Sequence, residues 1–186
     1  MNQRPPQGAA PAGARSAART ARLAIVPLRA EHAAMMFPLL ADPLLYTYVP
    51  EAARASVAEL FERFAALERG APQGSGEVWL NWVLLRLVSG EPIGTLQATV
   101  RPGSHAWIGY ALAASAWGRG FASEACAWLV ADLPARYDVR EALASVDVRN
   151  ARSIALLERL GFVRVATEAA ELHGEASADH RYRLAC

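Results

Sequence analysis

Beyond residue 22 the apolar positions keep two different rhythms, and the switches between them mark the elements. The apolar run at 23–28 predicts a strand, in which Pro27 implies a sheet edge or a bulge. Residues 31–37 predict a helix that Pro38 ends or kinks. Ser56-Val57-Ala58-Glu59 is a capping box, and Val57, Leu60, Phe61 and Phe64 then form one apolar helical face until Gly70 stops it. Runs at 78–88, 93–100 and 105–113 predict strands, and the turns Ser89-Gly90 and Arg101-Pro102-Gly103-Ser104 are short enough to fold them as an antiparallel meander. A helix is predicted over 121–133, with Ala122, Ala125, Cys126 and Leu129 on one face and Pro134 at its end. A strand at 142–148, a helix at 151–160 closed by Gly161, and strands at 162–167 and 180–184 complete the chain. The order βααβββαβαββ implies an α/β (α+β) domain, a mixed sheet with helices on its faces.

Residues 1–20 follow neither rhythm. They carry Pro5, Pro6, Gly8, Pro11 and Gly13 and no large apolar side chain after Met1, so they bury too little to offset the entropy of ordering. They are expected to form a disordered tail before a single domain over 21–186; Arg4, Arg15 and Arg19, with no acid nearby, give a weaker hint of a targeting leader. With 186 residues and 53% hydrophobic side chains, the chain is long enough for one real core. All 19 basic residues are Arg, set against 18 acidic ones, and the net charge of +1 offers no broad basic surface for nucleic acid. Cys126 and Cys186 alone make neither a disulfide framework nor a thiolate metal site, and no apolar run reaches the ~18 residues of a membrane span. The expectation is a soluble, cytoplasmic protein without metal, nucleic-acid or membrane partners.

The sharpest chemical signal is WGRGFASEA at 117–125, directly after a strand and opening a helix. Gly118 and Gly120 leave the backbone uncovered and free to take positive φ, so successive N–H groups can face one anion with the positive end of a helix behind them. Ser123 adds a hydroxyl and Arg119 a charge. Gly118-x-Gly120-x-x-Ser123 also approaches a dinucleotide fingerprint, but its third small residue is Ser and it follows an antiparallel strand. A second signal is NARSIALLERLGF at 150–162, where Asn150 caps a helix and Ser153 faces the same end. The crowd of Glu171, His173, Glu175, Asp179 and His180 lacks metal-ligand spacing and reads as a solvated hairpin.

Taken together, HAWIGYALA (105–113), WGRGFASEA and NARSIALLERLGF closely resemble the GNAT superfamily of acyl-CoA-dependent N-acyltransferases, and RLAIVPLRAEHAAMMFPLLADP (22–43) resembles its branch of ribosomal-protein N-terminal acetyltransferases. The resemblance implies a mostly antiparallel sheet that splays open after the strand ending at Ala113, with helices on both faces. It implies acetyl-CoA as co-substrate, with Leu112 and Ala113 pairing with the pantetheine arm by main chain. Trp117, Gly118, Arg119, Gly120, Phe121, Ala122 and Ser123 would hold the pyrophosphate, and Asn150 and Ser153 would sit beside the pantetheine and thiol. The partners implied are acyl-CoA and a primary amine, either a protein N-terminus or a small molecule, with a homodimer among the expectations.

Three positions depart from the family pattern. The pyrophosphate motif opens with Trp117 where Gln or Arg is common, Trp107 stands where some relatives carry Glu, and Leu157 occupies the position of a Tyr that protonates the leaving thiolate. Ser153 is the nearest hydroxyl to substitute for that Tyr. His105 is the candidate base, because an imidazole titrates near neutrality; Tyr110 and Asp147 lie on strands near the presumed cleft. An α-amine, with a pKa of about 7.7–8.0 against about 10.4 for Lys, needs less help from a base. The alternative is a catalytically degenerate acyl-CoA-binding module.

Overall fold

The computed structural model describes residues 17–186. Twelve regular elements follow one another: β1 (Ala18–Arg19), β2 (Leu23–Pro27), α1 (Ala33–Leu40), α2 (Val57–Arg69), β3 (Val78–Arg86), β4 (Pro92–Arg101), β5 (His105–Leu112), α3 (Phe121–Tyr137), β6 (Glu141–Asp147), α4 (Ala151–Arg159), β7 (Val163–Leu172) and β8 (Glu175–Ala185). Short 3-10 turns at Ala30–His32, Pro43–Tyr46 and Ala114–Ala116 join some of them. The strands form one sheet in the order β1-β2-β3-β4-β5-β6-β8-β7.

Neighbours are antiparallel except β5 and β6, which run parallel and pair only over His105–Trp107 against Glu141–Leu143. Beyond Trp107 the two strands part, although β5 stays paired with β4 as far as Leu112. A parallel pair needs a crossover, and α3 supplies it. The sheet is therefore split down its middle, as the family resemblance implies.

The strict alternation of side chains divides the sheet into two faces. Trp82, Leu84, Leu96, Ile108 and Ala144 point to one face and pack with Cys126, Leu129 and Leu133 of α3 and with Leu156 and Leu157 of α4. Trp82 meets Trp128 of α3 edge-to-face, with ring centroids 5.3 Å apart. Val83 points to the other face and packs with Met36 of α1 and Leu60 and Phe64 of α2.

Several sequence expectations need correction. Pro134 does not end α3, which runs on to Tyr137, and Pro38 lies inside α1. Each proline removes a single donor, and the flanking packing keeps the helix going. The last two strands are longer than expected, forming one hairpin over 163–185 that turns at His173 and Gly174 with φ of 54° and 82°. Most of the expected tail, residues 1–16, lies outside the described residues. Its end is not a tail: Ala18 and Arg19 pair with Ile25 and Ala24, and the Thr20 hydroxyl bonds to Glu124.

Candidate functional site

The parting of β5 from β6 exposes a strand edge in the middle of the sheet. Ala113 donates its N–H to Ile93 O, so the ladder's alternation turns the main chain of Leu112 and Tyr110 the other way, into the gap. Leu112 thus offers its N–H, while its carbonyl accepts the Trp117 indole at 2.7 Å. Ala113, expected to pair with the pantetheine arm, has both groups engaged, since its carbonyl also accepts Ala116 N. The free edge belongs to Tyr110 and Leu112.

One turn further on lies the loop before α3. Gly118 and Gly120 have φ of 68° and 77°, and nothing lies within 4 Å of where a Cβ on Gly118 would be. Gly120 is the N-cap of the 17-residue α3 and supplies no capping side chain. The first amides of the helix, at Phe121, Ala122 and Ser123, therefore keep donors without intrahelical partners, at the positive end of the macrodipole. Such a backbone cradle is suited to an anion. Trp117 does not contribute an amide to it, because its N–H goes to Ala114 O.

Arginines surround the cradle. The guanidinium carbons of Arg22 and Arg119 lie 4.6 and 5.3 Å from the centroid of the buried Phe121 ring, and that of Arg152 lies 4.3 Å from the Trp117 ring. Arg159 Nη1 reaches Ser123 Oγ at 3.4 Å. A near-neutral chain thus gathers positive charge around the free amides at the start of α3. Neither Arg22 nor Arg159 stood out in the sequence, because nothing local links them to this loop.

At the start of α4, Asn150 Oδ1 accepts Ser153 N at 3.2 Å, a capping bond that leaves the amide nitrogen of Asn150 for a ligand. The half-buried Ser153 faces the Tyr110 side chain, and the Tyr110 hydroxyl is buried without a hydrogen bond of good geometry. Burial pushes its pKa up, so it stays a protonated donor. Leu157, fully buried, is core. His105, the candidate base, pairs with Glu141 at the closed end of the split. Five residues of strand, about 16 Å, separate it from Tyr110, so it is not part of this cluster.

The opposite face of the split sheet bears different groups. Gln97 is exposed there and lies over Gly109, where a Cβ would come within 2.8 Å of its Nε2. Asp147 is buried and accepts Arg149 N, Nε and Nη2, each at 2.9 Å, and Ser177 Oγ at 2.7 Å. The Arg149 guanidinium above all holds its carboxyl well below the usual range, so it is a poor base. Asp179, directly across the ladder, accepts Ser145 Oγ at 2.7 Å. The hairpin tip closes over this region: His173 Nε2 donates to the Tyr46 carbonyl at 2.9 Å, beside a cavity of about 310 Å3 lined in part by Pro43, Thr47 and Glu51.

Burial pushes the Cys126 thiol up to about 12, which leaves it unreactive. Among the described residues no group of His, Cys, Asp or Glu side chains is arranged for a metal, and no helix is long and apolar enough to cross a membrane.

A family model described as an acetyltransferase (GNAT) domain matches residues 22–163. No curated protein matches the sequence. Among solved structures the fold is similar to RimL, a ribosomal L7/L12 alpha-N-protein acetyltransferase in complex with coenzyme A, at 19% identity and a TM-score of 0.82, covering 91% of this chain and 98% of that one. It is similar to the ribosomal-protein-S5-alanine acetyltransferase of Vibrio fischeri, at 16% identity and 0.78, over 91% and 96%. It is also similar to the Microcin C7 self immunity acetyltransferase MccE in complex with acetyl-CoA and AMP, at 16% and 0.78, over 90% and 94%. Because the matched span runs from the residue before β2 through α4 to the first residue of β7, this chain belongs to the GNAT acetyltransferase family.

Proposed function

We propose that the protein moves an acetyl group from acetyl-CoA to a primary amine by direct attack, with no covalent enzyme intermediate. The observation that carries this is the split between β5 and β6, which ends at the anion cradle of α3. The donor set fits the co-substrate: a backbone edge for an amide-bearing arm and helix amides with arginines for a diphosphate. Bound there, acetyl-CoA supplies the activated thioester. The Leu112 and Tyr110 amides orient the arm and polarise the carbonyl at the open edge. Asn150 contacts the arm through its side-chain nitrogen. The Ser153 hydroxyl hydrogen-bonds the sulfur as negative charge develops there, and the Tyr110 hydroxyl supports it. The amine sheds a proton on acylation and the thiolate takes one up, so the transfer is proton-neutral.

Two acceptor classes remain in view, a protein N-terminus and a small-molecule amine. The α-amine is favoured, because among the described residues no imidazole or free carboxylate lies beside Tyr110 and Ser153 to serve as a strong base, and an α-amine is partly neutral near pH 8. Asp179, with Ser145 its hydroxyl partner, is the carboxylate offered to an incoming ammonium.

The test is release of free thiol from acetyl-CoA with a panel of short peptides bearing free or blocked N-termini, and of polyamines. Turnover with free N-termini that blocking abolishes supports the reading. Turnover on polyamines alone moves the acceptor to small molecules. Tight coenzyme A binding with no turnover on any amine makes the chain a binding module and ends the enzymatic reading.

A further inference from the structure

Arg22 stands one residue before β2, 102 positions from Glu124, and it hydrogen-bonds both to α3 and to the loop before it. Its Nε donates to Glu124 Oε2 at 2.6 Å, its main-chain N–H to Glu124 Oε1 at 2.8 Å, and its Nη1 to Arg119 O at 2.8 Å. Its Nη2 lies 3.3 Å from where a Cβ on Gly120 would be. Thr20 adds a hydroxyl bond to Glu124 Oε1 at 2.5 Å.

We propose that Arg22 is a positioning residue of the acyl-CoA site: it fixes the 118–120 turn through the Arg119 carbonyl and cancels the Glu124 carboxylate that would otherwise face the diphosphate. This rests on the acyl-CoA reading above. A carboxylate in the first turn suits a helix N-terminus but repels a bound anion at the same place. Burial alone would raise the Glu124 carboxyl, yet the Thr20 hydroxyl and both Arg22 contacts hold it below its ordinary value, so it is charged and needs that neutralisation. The guanidinium fork serves both tasks at once, with Nε and Nη1 engaged and Nη2 turned toward the cradle. A lysine has the charge without the fork.

The test is calorimetric titration of coenzyme A, together with kinetics on acetyl-CoA and on S-acetyl-pantetheine, which lacks phosphate. Arg22→Ala should weaken coenzyme A binding by about ten- to a hundredfold, the scale of one or two lost bonds to charged groups. Its kcat at saturating acetyl-CoA and its kcat/KM with S-acetyl-pantetheine should stay within about threefold of wild type. Adding Glu124→Gln to Arg22→Ala should recover part of the lost affinity, because the repelling charge is gone. Arg22→Lys should fall between, and it stands in for Arg22→Ala should that variant not fold by circular dichroism. Equal losses with both thioesters, no recovery in the double variant, or unchanged coenzyme A affinity would each overturn the proposal. Failure of the wild-type protein to bind coenzyme A would instead overturn the reading on which it rests.

Discussion

At the proposed cofactor end of the cleft, residues 110–124 and 150–157 supply most of the groups from two short stretches of chain, much of it backbone. At the proposed acceptor end, the 43–54 segment and the hairpin tip meet through a bond between residues 127 positions apart, and the groups on offer are side chains. The cofactor end is ringed by Arg22, Arg119, Arg152 and Arg159, whereas the acceptor end carries Glu51, Asp147, Glu175 and Asp179 with Arg149 as the counter-charge. On the proposed reading, the difference teaches which end is tied to a fixed partner. A diphosphate does not vary, so uncovered amides and guanidinium groups suffice for it; an acceptor varies, so its site is assembled from loops and side chains that can change independently.

The comparison breaks first at Gly120. Gly120→Val puts a β-branched residue at φ 77° beside Arg22, and coenzyme A affinity should fall by about ten- to a hundredfold in protein that circular dichroism shows to be folded. Wild-type affinity there would mean that the cofactor end is not built from backbone. Next, Ser153→Ala should lower kcat about tenfold with coenzyme A binding intact, and Tyr110→Phe should lower it less, since the phenol acts through the serine. Unchanged kcat in both would leave sulfur protonation to water. A smaller effect belongs to the acceptor end. His173→Ala should raise KM for the amine about threefold to tenfold without changing coenzyme A affinity, and a change in the latter would dissolve the division into two ends.

The smallest effect concerns pH. The Glu124 carboxyl is lowered in the folded protein, so its contribution to stability is fully present above about 4.5 and is lost as pH falls through the lowered value. Wild type should therefore lose more stability than Glu124→Gln on acidification below that point, as followed by thermal melts. Parallel loss in both proteins would remove Glu124 from the account of the cofactor end.

How well the sequence foretells each end follows from the same contrast. The turn at Gly118 and Gly120 and the cap at Asn150 are local, so their residues announce the cradle and the helix start without knowledge of the fold. Arg22 was legible only as the first residue of the 22–43 resemblance, because its partners come 97 and 102 residues later. Tyr110 reads as an ordinary strand aromatic until the split sheet leaves its hydroxyl without a partner. His105 shows the opposite case, since its imidazole is on the same strand as Tyr110 but about 16 Å along it, where the strand pairs with β6. Ala113 differs from Leu112 by one residue, which in a strand reverses the direction of both main-chain groups and turns its N–H to Ile93.

The three-residue contact between β5 and β6 also has a thermodynamic meaning. The two halves of the sheet are joined edge to edge by very little, and a ligand arm lying along Tyr110 and Leu112 would lengthen that seam as a surrogate strand. Acyl-CoA would then act as a strut between the halves, and its binding free energy would appear as cohesion of the whole domain: at a hundred times Kd, about 2.7 kcal/mol of added stability. The amides of Tyr110 and Leu112 would turn from solvent-exchanging to protected on binding, while that of Ala113, already bonded to Ile93, would not change.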